Sequence, residues 1–143
     1  CAPAEHAPDF SYTLLDGTQH DASGLLGKVA LVTFWATSCA VCLAEMPQVV
    51  KTHQRYHARG YETLAIAMAY DAPALVARYA MNEKLPFGVV IDNTGNIARR
   101  FGDVRATPTS ILIDRRGRIA WRRTGAPDFP VLQGLIEQLL QSG

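Results

Sequence analysis

The sequence predicts a mixed α/β domain, a three-layer α/β/α sandwich around one central sheet, and three observations carry that reading. Apolar, strand-like runs alternate with helical patterns through most of the chain. The last two such runs flank a glycine-containing turn, the signature of an antiparallel hairpin. Between the first long apolar run and the helix after it stands a cysteine pair, Cys39 and Cys42. With 143 residues, the chain is the size of one domain with one core.

Residues 1–8 hold two prolines and no periodicity, so they read as a flexible N-terminal tether ahead of a domain over 9–143. Asp9 to Gly17 reads as a short strand running into an Asp16-Gly17 turn. Val29 to Ala36 is almost continuously apolar, β-branched or aromatic, which suits a central strand buried on both faces. The helical pattern over 40–58 is interrupted by Pro47 and stopped by Gly60. Glu62 to Ala69 is a second buried strand. Pro73 to Glu83 is a helix with proline near its first turn, where a missing N–H costs little. A third strand spans Phe87 to Asp92, and a short helix follows near Asn96–Phe101. Thr109–Asp114 and Arg118–Arg122 form the hairpin, and an amphipathic helix over Phe129–Gln141 closes the chain.

Composition excludes several classes. Apolar residues at 48% and charged residues at 19% are globular values, and a net charge of +1 selects no partner. Charge is uneven: Arg99 to Arg123 holds eight arginines against Asp103 and Asp114, a local excess of 8 − 2 = +6. Such a patch can steer acidic protein surfaces, although a solvated strand pair studded with arginine explains it more simply. Aromatic residues do not interleave these arginines, so a nucleic-acid partner is not expected. No run approaches the ~18 apolar residues of a membrane span.

Three cysteines, Cys1, Cys39 and Cys42, are too few and too clustered for a structural disulfide framework. Cys1 stands first, where methionine would be expected. Read as a processed N-terminus, it is the lipidation candidate of a bacterial lipoprotein, and the tether would join that anchor to the domain. The plain alternative is an idle thiol.

The cysteine pair carries the chemistry. At the start of a helix, Cys39 faces unpaired N–H groups and the positive end of the dipole, both of which stabilise a thiolate. Thiolate is the nucleophile, and such placement lowers a cysteine pKa from about 8.5 to as little as ~3.5–7.5. Cys42, one turn on, can resolve a mixed disulfide formed on Cys39. Glu45 continues the face and either exchanges the proton of Cys42 or is a solvated helix glutamate; spacing alone weighs the two equally. Trp35 is expected in the core or as a lid beside the pair.

His53 and His57 extend the pattern to C-x2-C-x10-H-x3-H. On one helix, however, Cys42 and His53 would be ~16 Å apart, whereas zinc holds its ligands within about 2.3 Å. No metal site is expected at the pair, and the histidines read as surface residues at a helix end. Two soft thiolates do suit Cu(I), which keeps a Cu(I)-binding metallochaperone as the alternative function.

Phe34 to Pro47, FWATSCAVCLAEMP, resembles the F-W-A-x-W-C-x-x-C-x-x-E-x-P segment of the thioredoxin-like superfamily, specifically the TlpA/ResA type of membrane-tethered bacterial thiol–disulfide oxidoreductase. Phe101 to Gly117 resembles that family's Y-G-V-x-x-x-P-T-x-x-L-I-D-x-x-G segment, and Ala7-Pro-Asp-Phe10 also fits. The resemblance runs from Pro8 nearly to the end. It implies a thioredoxin-like three-layer sandwich with an N-terminal strand extension and a central strand–helix insertion around Ala65–Asp92. It implies that Pro108 is a cis-proline facing the cysteines, turning the Thr107 backbone toward Cys39 for strand-like pairing with substrate. Glu45 is then the site carboxylate, because the position of thioredoxin's own aspartate, two before the strand tryptophan, is Thr33 here.

Two departures bear on specificity. Ser38 replaces the tryptophan usual before the first cysteine, and Ala40-Val41 fills the dipeptide with no proline. The dipeptide is a main control on reduction potential, so the direction of electron flow stays open. The resemblance implies reduction of protein disulfides in the periplasm or at an extracytoplasmic membrane face. Clients would be apocytochrome c, copper-site cysteines or a methionine sulfoxide reductase, and a membrane dithiol would donate electrons. The chain would act as a monomer with no cofactor beyond its own dithiol. A thiol peroxidase is disfavoured, since those enzymes carry T-x-x-C where this chain has Cys39.

Overall fold

The computed structural model describes residues 5–142; Cys1 lies outside them. The central sheet has five strands in the order β5-β4-β3-β6-β7. Its strands are β3 (Val29–Trp35), β4 (Tyr61–Ala67), β5 (Gly88–Ile91), β6 (Thr109–Ile113) and β7 (Ile119–Thr124). β3, β4 and β5 run parallel, and β6 and β7 pair antiparallel. That is the mixed sheet expected from alternating strands and helices followed by a hairpin.

β3 sits in the middle, and all seven of its residues are buried. Its side chains alternate between two cores: Val29, Leu31 and Trp35 enter one, and Ala30, Val32 and Phe34 the other. A strand covered on both faces must be apolar at every position, which explains the unbroken run. Each large side chain removed from water in this way contributes about 1.5–3 kcal/mol.

The first core is roofed by α1 (Ala40–Tyr56), α2 (Pro73–Asn82) and α4 (Phe129–Ser142). α1 buries Cys42, Met46, Val49, His53 and Tyr56, a 3-4 spacing that keeps one stripe on the sheet. The helix runs unbroken through the exposed Pro47, then ends earlier than the periodicity indicates, passing into a 3-10 turn at His57–Arg59. Gly60 closes the turn in the left-handed region at φ 99°, which favours glycine.

The second core is covered less regularly, by the short α3 (Asn96–Arg100), a 3-10 turn at Ala22–Leu25 and the N-terminal segment around Phe10. β1 (Ser11–Thr13) pairs antiparallel with β2 (Gln19–Asp21). β2 has no apolar signal in the sequence, because all three of its residues are exposed. A bridge from Leu14 to Val90 ties this hairpin to β5. Within the segment assigned to the tether, the Ala7 N–H donates to the Gly117 carbonyl at 2.8 Å and the Glu5 carbonyl accepts from Ile119 N–H at 2.7 Å. Residues 5–7 therefore lie along the β6–β7 hairpin.

The arginine-rich stretch is largely structural. Arg99, Arg100, Arg115, Arg122 and Arg123 each donate to a backbone carbonyl. Arg118 pairs with Asp114, whose carboxylate also accepts the N–H groups of Arg116 and Arg118 across the hairpin turn. No helix of the described residues is long and apolar enough to cross a membrane.

Candidate active site

The end of β3 and the start of α1 bring the two cysteines together as a disulfide, with Cα atoms 5.2 Å apart. Cys39 is the N-cap of α1, with extended backbone (φ −94°, ψ 104°), and its Sγ accepts the Cys42 N–H at 3.1 Å. One of the helix's free N–H donors therefore already points at sulfur, where it would stabilise a thiolate. Cys39 is half-buried, while Cys42 is only 3% exposed. A substrate approaching from solvent meets Cys39 first.

The surrounding positions divide between rim and floor. Ser38, Ala40 and Val41 are exposed and form the rim. Trp35 is 1% exposed and packs on Tyr79 with ring centroids 5.3 Å apart. It belongs to the core and is no lid. A cavity of about 20 Å³ lies behind the disulfide, lined by Thr33, Trp35, Cys42, Glu45, Pro108 and Ser110 among others. Glu45 and Pro108, 63 residues apart in sequence, thus share one small space with the buried sulfur's residue. The indole Nε1 of Trp35 is buried with no hydrogen-bond partner among the described residues. The Thr107–Pro108 peptide bond is cis; Pro108 is buried and Thr107 half-buried.

One contact was not legible in the sequence. Asp71, 8% exposed, follows β4 and reaches across to the loop that leads into Cys39. Its Oδ2 accepts the Thr37 backbone N–H and its Oδ1 accepts the Thr37 hydroxyl, each at 2.6 Å. A carboxylate with two short bonds clamps the loop two residues before Cys39. Its only sequence signal is local, an Asp-Ala-Pro that reads as a helix start.

The two histidines differ in burial. His57 is exposed as expected, but His53 is 4% exposed and not on the surface. The α1 stripe that buries Val49 and Tyr56 also carries His53 inward, where Nδ1 lies 3.0 Å from the Thr63 hydroxyl. Burial, opposed by Glu62 and assisted by His57, holds its imidazole below the ordinary histidine pKa. Because α1 is continuous from Ala40 to Tyr56, Cys42 and His53 stand ~16 Å apart along it. The four-ligand zinc pattern is not assembled.

A half-exposed cysteine at a helix N-terminus, disulfide-bonded to a buried one behind it, on this sheet, defines a thioredoxin-like thiol–disulfide oxidoreductase. The chain matches the Redoxin family over residues 2–136 and belongs to it. Within that class it is of the ResA type. It is 32% identical over 137 residues to the thiol–disulfide oxidoreductase ResA of Halalkalibacterium halodurans, covering 96% of this chain and 72% of that one. It is 30% identical over 135 residues to ResA of Bacillus anthracis, covering 94% and 77%. Among solved structures it is similar to a putative thioredoxin from Neisseria meningitidis, with TM-score 0.90 and 34% identity over 99% of this chain and 93% of that one. It also resembles a putative thiol:disulfide interchange protein DsbE from Chlorobium tepidum, with TM-score 0.82 and 27% identity over 99% and 96%.

Proposed function

We propose that this oxidoreductase reduces protein disulfides outside the cytoplasm, with Cys39 as attacker, Cys42 as resolver and Glu45 as the proton carrier. The observation that carries the assignment is the unequal burial of the two sulfur-bearing residues, half-buried Cys39 over buried Cys42. In the reduced enzyme the Cys39 thiolate attacks one sulfur of a client disulfide. A mixed disulfide forms and the client's other sulfur leaves as a thiolate. Cys42, giving its proton to Glu45, then attacks Cys39 Sγ; the Cys39–Cys42 disulfide forms and the second client sulfur leaves. Two electrons have passed to the client, and a membrane dithiol returns the enzyme to its reduced form.

Pro108, lining the same cavity as Cys42, supports a role for the Thr107 backbone in pairing with an extended client segment. Ser38, Ala40 and Val41 would then set the rim the client meets. Apocytochrome c, copper-site cysteines and a methionine sulfoxide reductase are the client classes to try first. The chain is proposed to work as a monomer.

Trapping tests the roles. Cys42→Ala is expected to accumulate client proteins as mixed disulfides on Cys39, and Cys39→Ala is not. The opposite pattern reverses attacker and resolver. A reduction potential near that of thioredoxin, about −270 mV, supports a reductase; one near about −120 mV makes the enzyme an oxidant. Tight stoichiometric Cu(I) binding with negligible disulfide turnover would establish copper delivery instead.

A further inference from the structure

Far from the disulfide, at the other end of α1, three metal-ligating side chains converge. His53, His57 and Glu62 each offer one ligand atom, and these atoms lie within 4.8 Å of one another. The imidazole rings of His53 and His57, one helical turn apart, have centroids separated by 4.6 Å. Glu62, at the start of β4, brings Oε2 to 3.8 Å from His57 Nε2. Counted along α1 from Cys39 to His53, this group stands ~21 Å from the catalytic pair.

The group is held in place from behind. Thr63 contacts two of its three members, its hydroxyl lying 3.0 Å from His53 Nδ1 and its backbone N–H donating to Glu62 Oε1 at 3.1 Å. Thr63 is itself fully buried. Phe87 meets the His53 ring edge-on, with centroids 5.4 Å apart. Outer contacts of this kind fix the tautomer and tilt of ligating imidazoles and orient ligating carboxylates. With Oε1 holding the Thr63 N–H, Oε2, which faces His57, is the carboxylate oxygen left for a cation on Glu62.

We propose that His53, His57 and Glu62 form a binding site for a borderline divalent cation, Zn²⁺ foremost, with the fourth position open to water. Two imidazoles and a carboxylate form a donor set such ions accept. Tetrahedral coordination at about 2.1 Å sets ligand atoms about 3.4 Å apart. Each pair of ligand atoms must therefore close by roughly 1.4 Å at most, and His57, the exposed member, can contribute to that closure. A bound ion would pin the turn between α1 and β4, joining helix to sheet at the end opposite the chemistry. It would stabilise the fold by mass action without entering thiol exchange.

The test uses the full chain in its disulfide form, so that Cys39 and Cys42 offer no thiolate. Zn²⁺ is titrated calorimetrically and thermal melting is followed with and without it. Wild type is expected to bind one Zn²⁺ beyond any bound by His57→Ala, and to melt higher with zinc present. His57→Ala removes an exposed ligand and keeps the core intact; any binding through Cys1 is common to both proteins. Thr63→Val, which keeps all three ligands, is expected to weaken binding 10–100-fold. Disulfide-reductase turnover of His57→Ala should match wild type. Zinc binding and a zinc-induced melting shift that are unchanged in His57→Ala would overturn the site, as would the absence of any shift in wild type at millimolar zinc.

Discussion

The clamp between Asp71 and Thr37 makes the most exacting prediction. Asp71→Ala removes both acceptors at once, leaving the Thr37 N–H and hydroxyl without the partners they hold at 2.6 Å. Hydrogen bonds to a charged group contribute about 1.5–3 kcal/mol each, which bounds the loss at about 3–6 kcal/mol. Thr37 is only half-buried, so water can replace part of what is lost, and the lower end, ~3 kcal/mol, is the expected value. At about 2–4 °C per kcal/mol, that is a fall in Tm of roughly 10 °C. Urea denaturation of the disulfide form measures it directly. A cycle with Thr37→Val isolates the hydroxyl bond, and a coupling energy of ~1–2 kcal/mol is expected between the two sites. Turnover measured well below both melting temperatures should also fall, because the clamped loop positions Cys39. The clamp is refuted if Asp71→Ala lies within about 0.5 kcal/mol of wild type or if the cycle shows no coupling.

Glu45→Gln should alter the pH profile of thiol exchange while leaving the denaturation midpoint nearly unchanged; a superimposable profile would return Glu45 to a solvated helix position. At Asp114, burial works to raise the pKa, but the N–H groups of Arg118 and Arg116 and the Arg118 guanidinium overcome it and hold the carboxyl below its ordinary value. Its folded pKa is thus lower than its unfolded one, so its contribution is present above the unfolded value, about 3.9, and is lost as pH falls through the folded value. Asp114→Asn should be less stable than wild type at pH 7, with the two urea midpoints converging below about pH 3.9; a gap constant with pH would contradict this. Gly60→Ala places a Cβ at φ 99° and 3.0 Å from Arg115 Nη1. A loss of about 1 kcal/mol or more is expected by denaturation, and none would show that the turn relaxes freely.

What the sequence alone determined is what rests on neighbours along the chain. The cysteines are three residues apart, so any helix beginning at Cys39 puts them on one face, whatever packs around it. The β3 run declares a strand buried on both faces, and the glycine turn before Arg118 declares a hairpin; both are short-range patterns. The tertiary structure decided what rests on distant pairs. Asp71 reaches Thr37 across 34 residues, and no periodicity encodes a bond of that span. His53 looked like a surface residue because a polar side chain on an apolar stripe has no local signature. Its burial follows from a partner, the Thr63 hydroxyl, on a strand that only the fold brings beneath the helix. β2, three exposed residues paired through backbone alone, is equally silent in sequence. Glu45, even between two roles by spacing, shares one cavity with Pro108, 63 residues away, only because the fold packs α1 near the loop that enters β6. Periodicity reports which face of an element turns inward, and only the packed sheet decides which groups that face meets there.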